Sequence, residues 1–151
     1  MGTDYSYDKP LPADDRADRR TGQGTIEGGE AVAEGSVKMN EAAFQAFNTA
    51  SSGGMSEAWT VARLAGIMGA KQADELILVS HSFNITGIEM SYKTDESTKA
   101  ATVRCEVRTM ERIGAATAAM VGCGLALMVL VDSMRAIDGE MSIEGLHLVK
   151  K

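Results

Sequence analysis

Hydrophobic and polar residues alternate with a period of two in the middle of the chain. Between Val103 and Val107, apolar side chains alternate with charged ones, which predicts a half-buried antiparallel strand. A similar alternation over residues 83–92 changes phase at Gly87, which predicts a second strand that carries a bulge. The polar segment 94–99 between them is typical of a turn. We therefore predict that the two strands form a hairpin.

Two helices are predicted ahead of this hairpin. Asn40 is suited to cap a helix that continues to about Ala50, and Ser56 to cap one from Glu57 to about Ala70. In the second helix, apolar residues recur at helical spacing. The face predicted to lie in the core carries three large apolar residues and one alanine: Val61, Leu64, Ala65 and Met68.

Weaker alternation marks the two ends of the domain. Residues 28–39 predict a first strand, and residues 141–149, whose phase changes at Gly145, predict a last one. Together with the helices and the hairpin, this order of elements predicts an α+β domain, in which helices cover one face of an antiparallel sheet.

The longest apolar segment runs from Ile113 to Ile137 and has no charged residue before Asp132. It is long enough to cross a membrane. However, it is rich in Ala, Gly and Met, and no basic cluster flanks it, so a buried helix is favoured over a membrane anchor. Small residues recur in it at every fourth position: Gly114, Ala118, Gly122 and Ala126. A helix face of small residues favours close contact with a sheet or with a second copy of the chain.

Composition narrows the choice of partners. The chain has 15 basic and 21 acidic residues, a net charge of −6, and no large basic patch, which argues against a nucleic-acid-binding surface. A small molecule or another protein is therefore the expected partner. Cys105 and Cys123 belong to no metal-binding or redox motif and lie in apolar segments, which predicts buried thiols in a reducing compartment. We predict neither a metal site nor a cofactor.

The N-terminal residues differ from the rest in composition. Residues 1–24 contain both prolines and a run of mixed charges but few apolar side chains, which predicts a flexible arm followed by a single domain over residues 25–151. The first residues do not combine a basic region with an apolar run, so a cytoplasmic protein is expected.

Three polar residues are candidates for chemistry. His81 lies between two serines, but a hydrolytic site requires a spatial arrangement that adjacent residues do not provide. Asp132 and Arg135 are three residues apart at the end of the long apolar segment and project to the same side of a helix. An ordinary ion pair is the favoured interpretation of these two residues.

Several strings, taken in order, resemble the cyclic pyranopterin monophosphate synthase family of molybdenum cofactor biosynthesis, MoaC. The most specific is ARLAGIMGAK at Ala62–Lys71, where the family has A-R-x-A-G-I-x-A-A-K. The strings LILVSHS, TGIE, VDSMRA and MSIEGLHL follow it in the family's order, and the resemblance covers about residues 31–151. It implies a ferredoxin-like fold, assembly of dimers into a hexamer, and an active site at a dimer interface.

The resemblance also implies a reaction. Family members rearrange a cyclic dihydroguanosine triphosphate into cyclic pyranopterin monophosphate and release pyrophosphate, which requires cations for the triphosphate and titratable groups for proton transfer. On the matching positions, His81 and Asp132 take catalytic roles, while Arg135 and Lys151 bind phosphate. The expected ligand is a nucleotide or pterin, and the helix region Gly114–Ala126 is expected to form the homo-oligomer contact.

Departures from the family pattern leave two hypotheses open. The family's lysine ahead of the specific string falls on Met55, and its two glutamates at the start of the long helix fall on Ala116 and Ala118. Arg135 replaces a lysine; a guanidinium keeps the charge but exchanges protons poorly. One hypothesis is a synthase with an altered active site. The other is a non-catalytic or repurposed relative that acts as an oligomeric scaffold or binds a ligand.

Overall fold

A computed structural model describes residues 28–52, 57–77 and 82–150. Within these ranges the strands are Gly29–Lys38 (β1), Ile85–Asp95 (β2), Ala100–Thr109 (β3) and Ser142–Lys150 (β4). The helices are Glu41–Ser52 (α1), Glu57–Lys71 (α2), Ala73–Leu76 (α3) and Ala115–Met134 (α4). The predicted arm over residues 1–24 lies outside the described residues.

The strands form one antiparallel sheet in the order β2-β3-β1-β4. Helices follow β1 and β3, and β2 and β3 are joined by a hairpin in which Asp95 pairs with Ala100. The order of elements and of strands is that of a ferredoxin-like fold. The predicted fold class and hairpin are therefore confirmed.

Two irregularities in the sheet lie where the sequence changes phase. The pairing of β2 with β3 shifts between Ile85 and Gly87. In β4, the two residues Gly145 and Leu146 lie opposite the single residue Gly35. Gly145 has a φ of 68°, a conformation that favours glycine. Both predicted phase changes are confirmed as irregularities of the pairing.

The long apolar helix α4 packs against the sheet and against α2. By length and composition it could cross a membrane, but half of its residues are buried inside the domain. The helix contacts β1, β3 and β4. Helix α4 is therefore the core helix of this domain, as the sequence predicts.

The small residues of α4 are used within the chain. Ala118 is fully buried, and a Cβ on Gly122 would lie 3.0 Å from the sulfur of Cys105 and 3.1 Å from the carbonyl oxygen of Gly66. The row therefore packs between β3 and α2, which is one of the two contacts expected for it. The homo-oligomer contact through Gly114–Ala126 stays a prediction.

The prediction of which face of α2 lies in the core is wrong. Val61, Leu64 and Met68 are 48%, 57% and 51% exposed, and Ala65 is only half-buried. The buried residues are one tryptophan and four small residues: Trp59, Ala62, Gly66, Gly69 and Ala70. Small residues face the core because α2 lies against the glycines and alanines of α4, where large side chains would push the two helices apart.

The start of α1 is held by two side chains. Oδ1 of Asn40 accepts a hydrogen bond from the N–H of Ala43 at 2.8 Å, which confirms the predicted N-cap. The N–H of Asn40 donates to Oδ2 of Asp138 at 2.7 Å, and the N–H of Glu140 donates to Oδ1 of the same buried carboxylate at 2.9 Å. Asp138 thus ties the β1–α1 connection to the α4–β4 connection. The predicted cap Ser56 lies outside the described residues.

Candidate active site

Asp132 and Arg135 lie at the end of α4 and face solvent. Nη2 of Arg135 donates to Oδ1 of Asp132 at 2.8 Å, and the two side chains are 70% and 71% exposed. The ion pair that the spacing predicts is therefore formed. It uses one of the five N–H donors of the guanidinium, and the remaining donors suit a bidentate contact with an anion.

The other two predicted residues, His81 and Lys151, lie outside the described residues. The segment that follows His81 is attached to the connection leading into α4. The ring of Phe83 packs against the residue that precedes α4. Asn84 donates to the carboxylate of Glu111 through its backbone N–H at 2.8 Å and through its side-chain amide at 2.9 Å.

The neighbourhoods of the four predicted residues are divided between two ends of the domain. We call the end where α4 begins the entry end and the end where α4 finishes the exit end. Residues 82–84 lie at the entry end, as does Lys150, which pairs near the start of β1. Asp132 and Arg135 lie at the exit end. The helix between them has 20 residues, a length of about 30 Å at the usual rise per residue.

The start of α4 carries no carboxylate. Its first turn contains no acidic residue. Gly114, just ahead of it, has a φ of 94°, and a Cβ there would collide with the ring of Phe83. Ala118 is fully buried in the core and Ala116 is half-buried. A glutamate at position 118 would have to bury its carboxylate among apolar groups, which is costly without a partner.

The open face of the sheet, away from the helices, carries a charged cluster that the sequence does not predict. Arg104 donates to Glu34 at 2.9 Å and to Glu106 at 3.2 Å. Two hydrogen bonds raise the pKa of Arg104; the one to Glu34 has the larger effect and the one to Glu106 the smaller. Alternation indicates that Arg104 and Glu106 share a polar face, but only the pairing of β1 with β3 shows that Glu34 lies opposite Arg104. Because two carboxylates neutralise this guanidinium, the cluster does not favour an anion.

Two shallow depressions also lie on the open face. One of about 180 Å³ borders the Arg104 cluster, and one of about 440 Å³ is lined by polar residues that include Ser36, Lys38 and Asp95. Neither is lined by Asp132 or Arg135. Over the described ranges, no group of three His, Cys, Asp or Glu side chains is arranged to hold a metal ion.

Cys105 and Cys123 are both fully buried and reduced. Burial raises the pKa of each thiol to about 12. The thiol of Cys123 donates to the carbonyl oxygen of Val103 at 3.5 Å. The prediction of buried thiols is confirmed, and neither thiol is a nucleophile at neutral pH because the thiolate is the reactive form.

Several known proteins similar to this chain are named cyclic pyranopterin monophosphate synthase. The MoaC family model matches residues 22–151. A cyclic pyranopterin monophosphate synthase from Roseiflexus sp. is 33% identical over 124 residues, which cover 81% of this chain and 77% of that protein. One from Natranaerobius thermophilus is 34% identical over 121 residues, 80% of this chain and 76% of that protein. One from Pelobacter propionicus is 38% identical over 91 residues, 60% of this chain, and the match spans 57% of that protein, less than two thirds of its length.

Proposed function

Because the chain belongs to the MoaC family, we propose that it is a cyclic pyranopterin monophosphate synthase-like protein of molybdenum cofactor biosynthesis, located in the cytoplasm. Its reaction is the rearrangement of cyclic dihydroguanosine triphosphate into cyclic pyranopterin monophosphate with release of pyrophosphate. Support comes from relatives that carry the synthase name and share 33% and 34% identity over about four fifths of the chain.

The observation that most supports this proposal is the exposed Asp132–Arg135 pair. A guanidinium with unused donors suits the oxygens of a triphosphate, which it grips in a planar, two-pronged contact. Arg135 therefore binds phosphate but does not exchange protons. Proton transfer during ring opening and closure falls to Asp132 and His81, and Lys151 adds a second cation for the phosphates.

A complete site requires two copies of the chain. The described neighbours of His81 and Lys151 lie at the entry end, separated from Asp132 and Arg135 by the length of α4, about 30 Å. We therefore infer that His81 and Lys151 of one copy combine with Asp132 and Arg135 of another. A two-fold dimer built in this way contains two equivalent sites.

A second candidate function is that of a non-catalytic scaffold or ligand-binding protein. The start of α4 favours it, because Ala116 and Ala118 occupy the positions of two family glutamates and Ala118 is packed in the core. Catalytic groups that act as a unit lose most of their effect when any one is removed. Under this alternative the oligomer and an anion site remain, and turnover is lost.

Turnover of the purified protein separates the two candidates. A synthase supplied with cyclic dihydroguanosine triphosphate releases pyrophosphate and forms the cyclic pterin. Asp132→Asn and Arg135→Ala are each expected to lower the rate by about 100-fold or more. The matched control Arg63→Ala removes an exposed arginine from α2 and leaves the rate unchanged. A folded protein that releases no pyrophosphate would support the second candidate instead.

Mixing two inactive variants tests whether the site is shared between copies. His81→Ala and Arg135→Ala are co-expressed so that their subunits pair at random. In a shared two-fold site, half of the pairs are mixed and each mixed pair retains one intact site, so about a quarter of the parental rate returns. If the site lies within one chain, every site lacks one residue and no rate returns, which would contradict the shared site.

A further inference from the structure

Asp138 is a buried carboxylate that the proposed reaction does not use. It lies three residues beyond Arg135 and is only 7% exposed. Its Oδ2 accepts a hydrogen bond from the N–H of Asn40 at 2.7 Å, and its Oδ1 accepts one from the N–H of Glu140 at 2.9 Å. A carboxylate is costly to bury unless it is hydrogen-bonded in this way. Because both of its oxygens are engaged and it has little access to solvent, Asp138 is not placed to contact a substrate.

The backbone of Asp138 continues the end of α4. Its N–H donates to the carbonyl oxygen of Met134 at 3.1 Å, which is the bonding pattern of an α-helix, and the N–H of Ile137 donates to the same oxygen at 2.9 Å. Met134 is itself buried in the core. The turn that carries Arg135 is therefore held between the buried Met134 at its start and the buried side chain of Asp138 at its end.

The end of α4 lacks another common means of fixing a helix terminus. Helices often end with a glycine in the left-handed conformation, which satisfies the last carbonyl groups. Residues 135–140 include no such residue. Asp132 and Arg135 bind each other, but both are about 70% exposed, and their ion pair does not attach them to another element. The hydrogen bond from Asn40 to Asp138, in contrast, joins this turn to the β1–α1 connection.

We propose that Asp138 is a positioning residue for the Asp132–Arg135 pair. Its side chain attaches the turn after α4 to the β1–α1 connection, so that the backbone of Arg135 is fixed relative to the sheet. A guanidinium binds phosphate oxygens in a planar, two-pronged contact, which depends on its direction of approach. A displacement of about 1 Å in such a group can lower a rate by about 100-fold. This role rests on the proposed function, because that function gives the pair its use.

Amide hydrogen exchange tests the attachment without a ligand. Asp138→Ala removes both acceptor oxygens and is expected to lower the protection of the amides of residues 137 and 138 by about 10-fold. Asp138→Asn keeps one acceptor oxygen and should give a smaller loss. The matched control is Val107→Ala, which shortens a fully buried side chain of β3 near the entry end and lowers Tm by a similar amount, roughly 6 °C. Equal protection of these two amides in Asp138→Ala and Val107→Ala would overturn the proposal.

Pyrophosphate binding tests whether Asp138 acts through Arg135. By isothermal titration calorimetry, Asp138→Ala is expected to raise the dissociation constant for pyrophosphate about 5-fold or more, whereas Val107→Ala keeps the parental value. In a chain that already carries Arg135→Ala, adding Asp138→Ala should change the affinity by less than about twofold, because the group that it positions is absent. Equal affinities of Asp138→Ala and Val107→Ala, or a fully additive loss in the double variant, would overturn the proposal.

Turnover separates the failure of this role from the failure of the proposed function. If the parental chain converts cyclic dihydroguanosine triphosphate, Asp138→Ala is expected to lower kcat/KM about 10- to 100-fold at a temperature where the variants are folded, and Val107→Ala less than about twofold. Equal rates of the two variants would retain the function and overturn the positioning role. A parental chain that binds pyrophosphate without turnover would remove the proposed reaction, and the exchange and binding measurements then decide the role of Asp138. A parental chain that does neither would overturn both.

Discussion

Replacing Gly66 by alanine is expected to destabilise the protein, although alanine is the better helix former. In the middle of α2, alanine favours the helix over glycine by about 1 kcal/mol. A Cβ at position 66, however, would lie 2.8 Å from the carbonyl oxygen of Gly122 and 3.2 Å from the Cβ of Ala126. Neither atom belongs to a flexible side chain, so α2 and α4 must move apart. Such overpacking costs up to about 3 kcal/mol, which leaves a net loss of about 2 kcal/mol.

Gly69→Ala provides the matched control on the same helix. Its Cβ would lie 2.7 Å from Cδ2 of Leu125, the far end of a flexible and partly exposed side chain. This methyl group turns aside at little cost, so most of the gain in helix propensity is retained. For 151 residues, 1 kcal/mol corresponds to roughly 3 °C in Tm. Circular dichroism should show Gly66→Ala melting roughly 6 °C below the parent and Gly69→Ala at or slightly above it. The reasoning is refuted if Gly66→Ala melts as high as Gly69→Ala.

Two further predictions concern buried groups. Burial raises the pKa of Cys105 and Cys123 from 9.0 to about 12. Between these values the unfolded chain releases protons that the folded chain retains, so the free energy of unfolding falls as pH rises through this window. The free energy of unfolding, measured in urea at a series of pH values, should fall more steeply than in a variant with both cysteines replaced by alanine. Equal dependence on pH in the two proteins would contradict this prediction. Asp138→Ala removes the acceptor for the N–H groups of Asn40 and Glu140. In urea unfolding it should lower the free energy of unfolding by about 2 kcal/mol, and Asp138→Asn should lower it by about half as much. Parental stability of the alanine variant would contradict a stabilising role for these two hydrogen bonds.

The sheet is well predicted from the sequence because its signals are local. One face of each inner strand lies against the helices and the other is open, so residues 103–107 alternate strictly between apolar and charged. The changes of phase at Gly87 and Gly145 mark shifts of pairing because an extra residue in a strand moves every later side chain to the other face. The long helix is equally evident, since its small and apolar residues are suited to burial on several sides.

The orientation of α2 is not predictable from its own sequence. Both of its faces are apolar, and hydrophobicity alone favours the face with Val61, Leu64 and Met68. The opposite face is buried because α4 presents Gly122 at the contact, where only a small-residue partner allows the two backbones to approach. The sequence of α4, and not that of α2, therefore decides which face of α2 is buried.

The candidate site is predictable in its parts but not in its arrangement. The three-residue spacing of Asp132 and Arg135 predicts their ion pair because neighbours on a helix surface are fixed by the helix itself. The distance from this pair to the segment that follows His81 depends on the length of α4 and on the position of residues 82–84 beside its start. The spacing of neighbouring residues does not predict the length of α4 or the position of residues 82–84.

The packing of α2 favours close contact between two helices over the burial of large side chains. Because the core takes the small-residue face of this helix, its larger apolar side chains are left on the surface. Burying one such side chain fully is worth about 1.5–3 kcal/mol, and the fold forgoes part of this gain at Val61, Leu64 and Met68. A large side chain between α2 and α4 would hold the two backbones apart at Gly66 and Gly122. The close approach of these two helices therefore decides which face of α2 is buried.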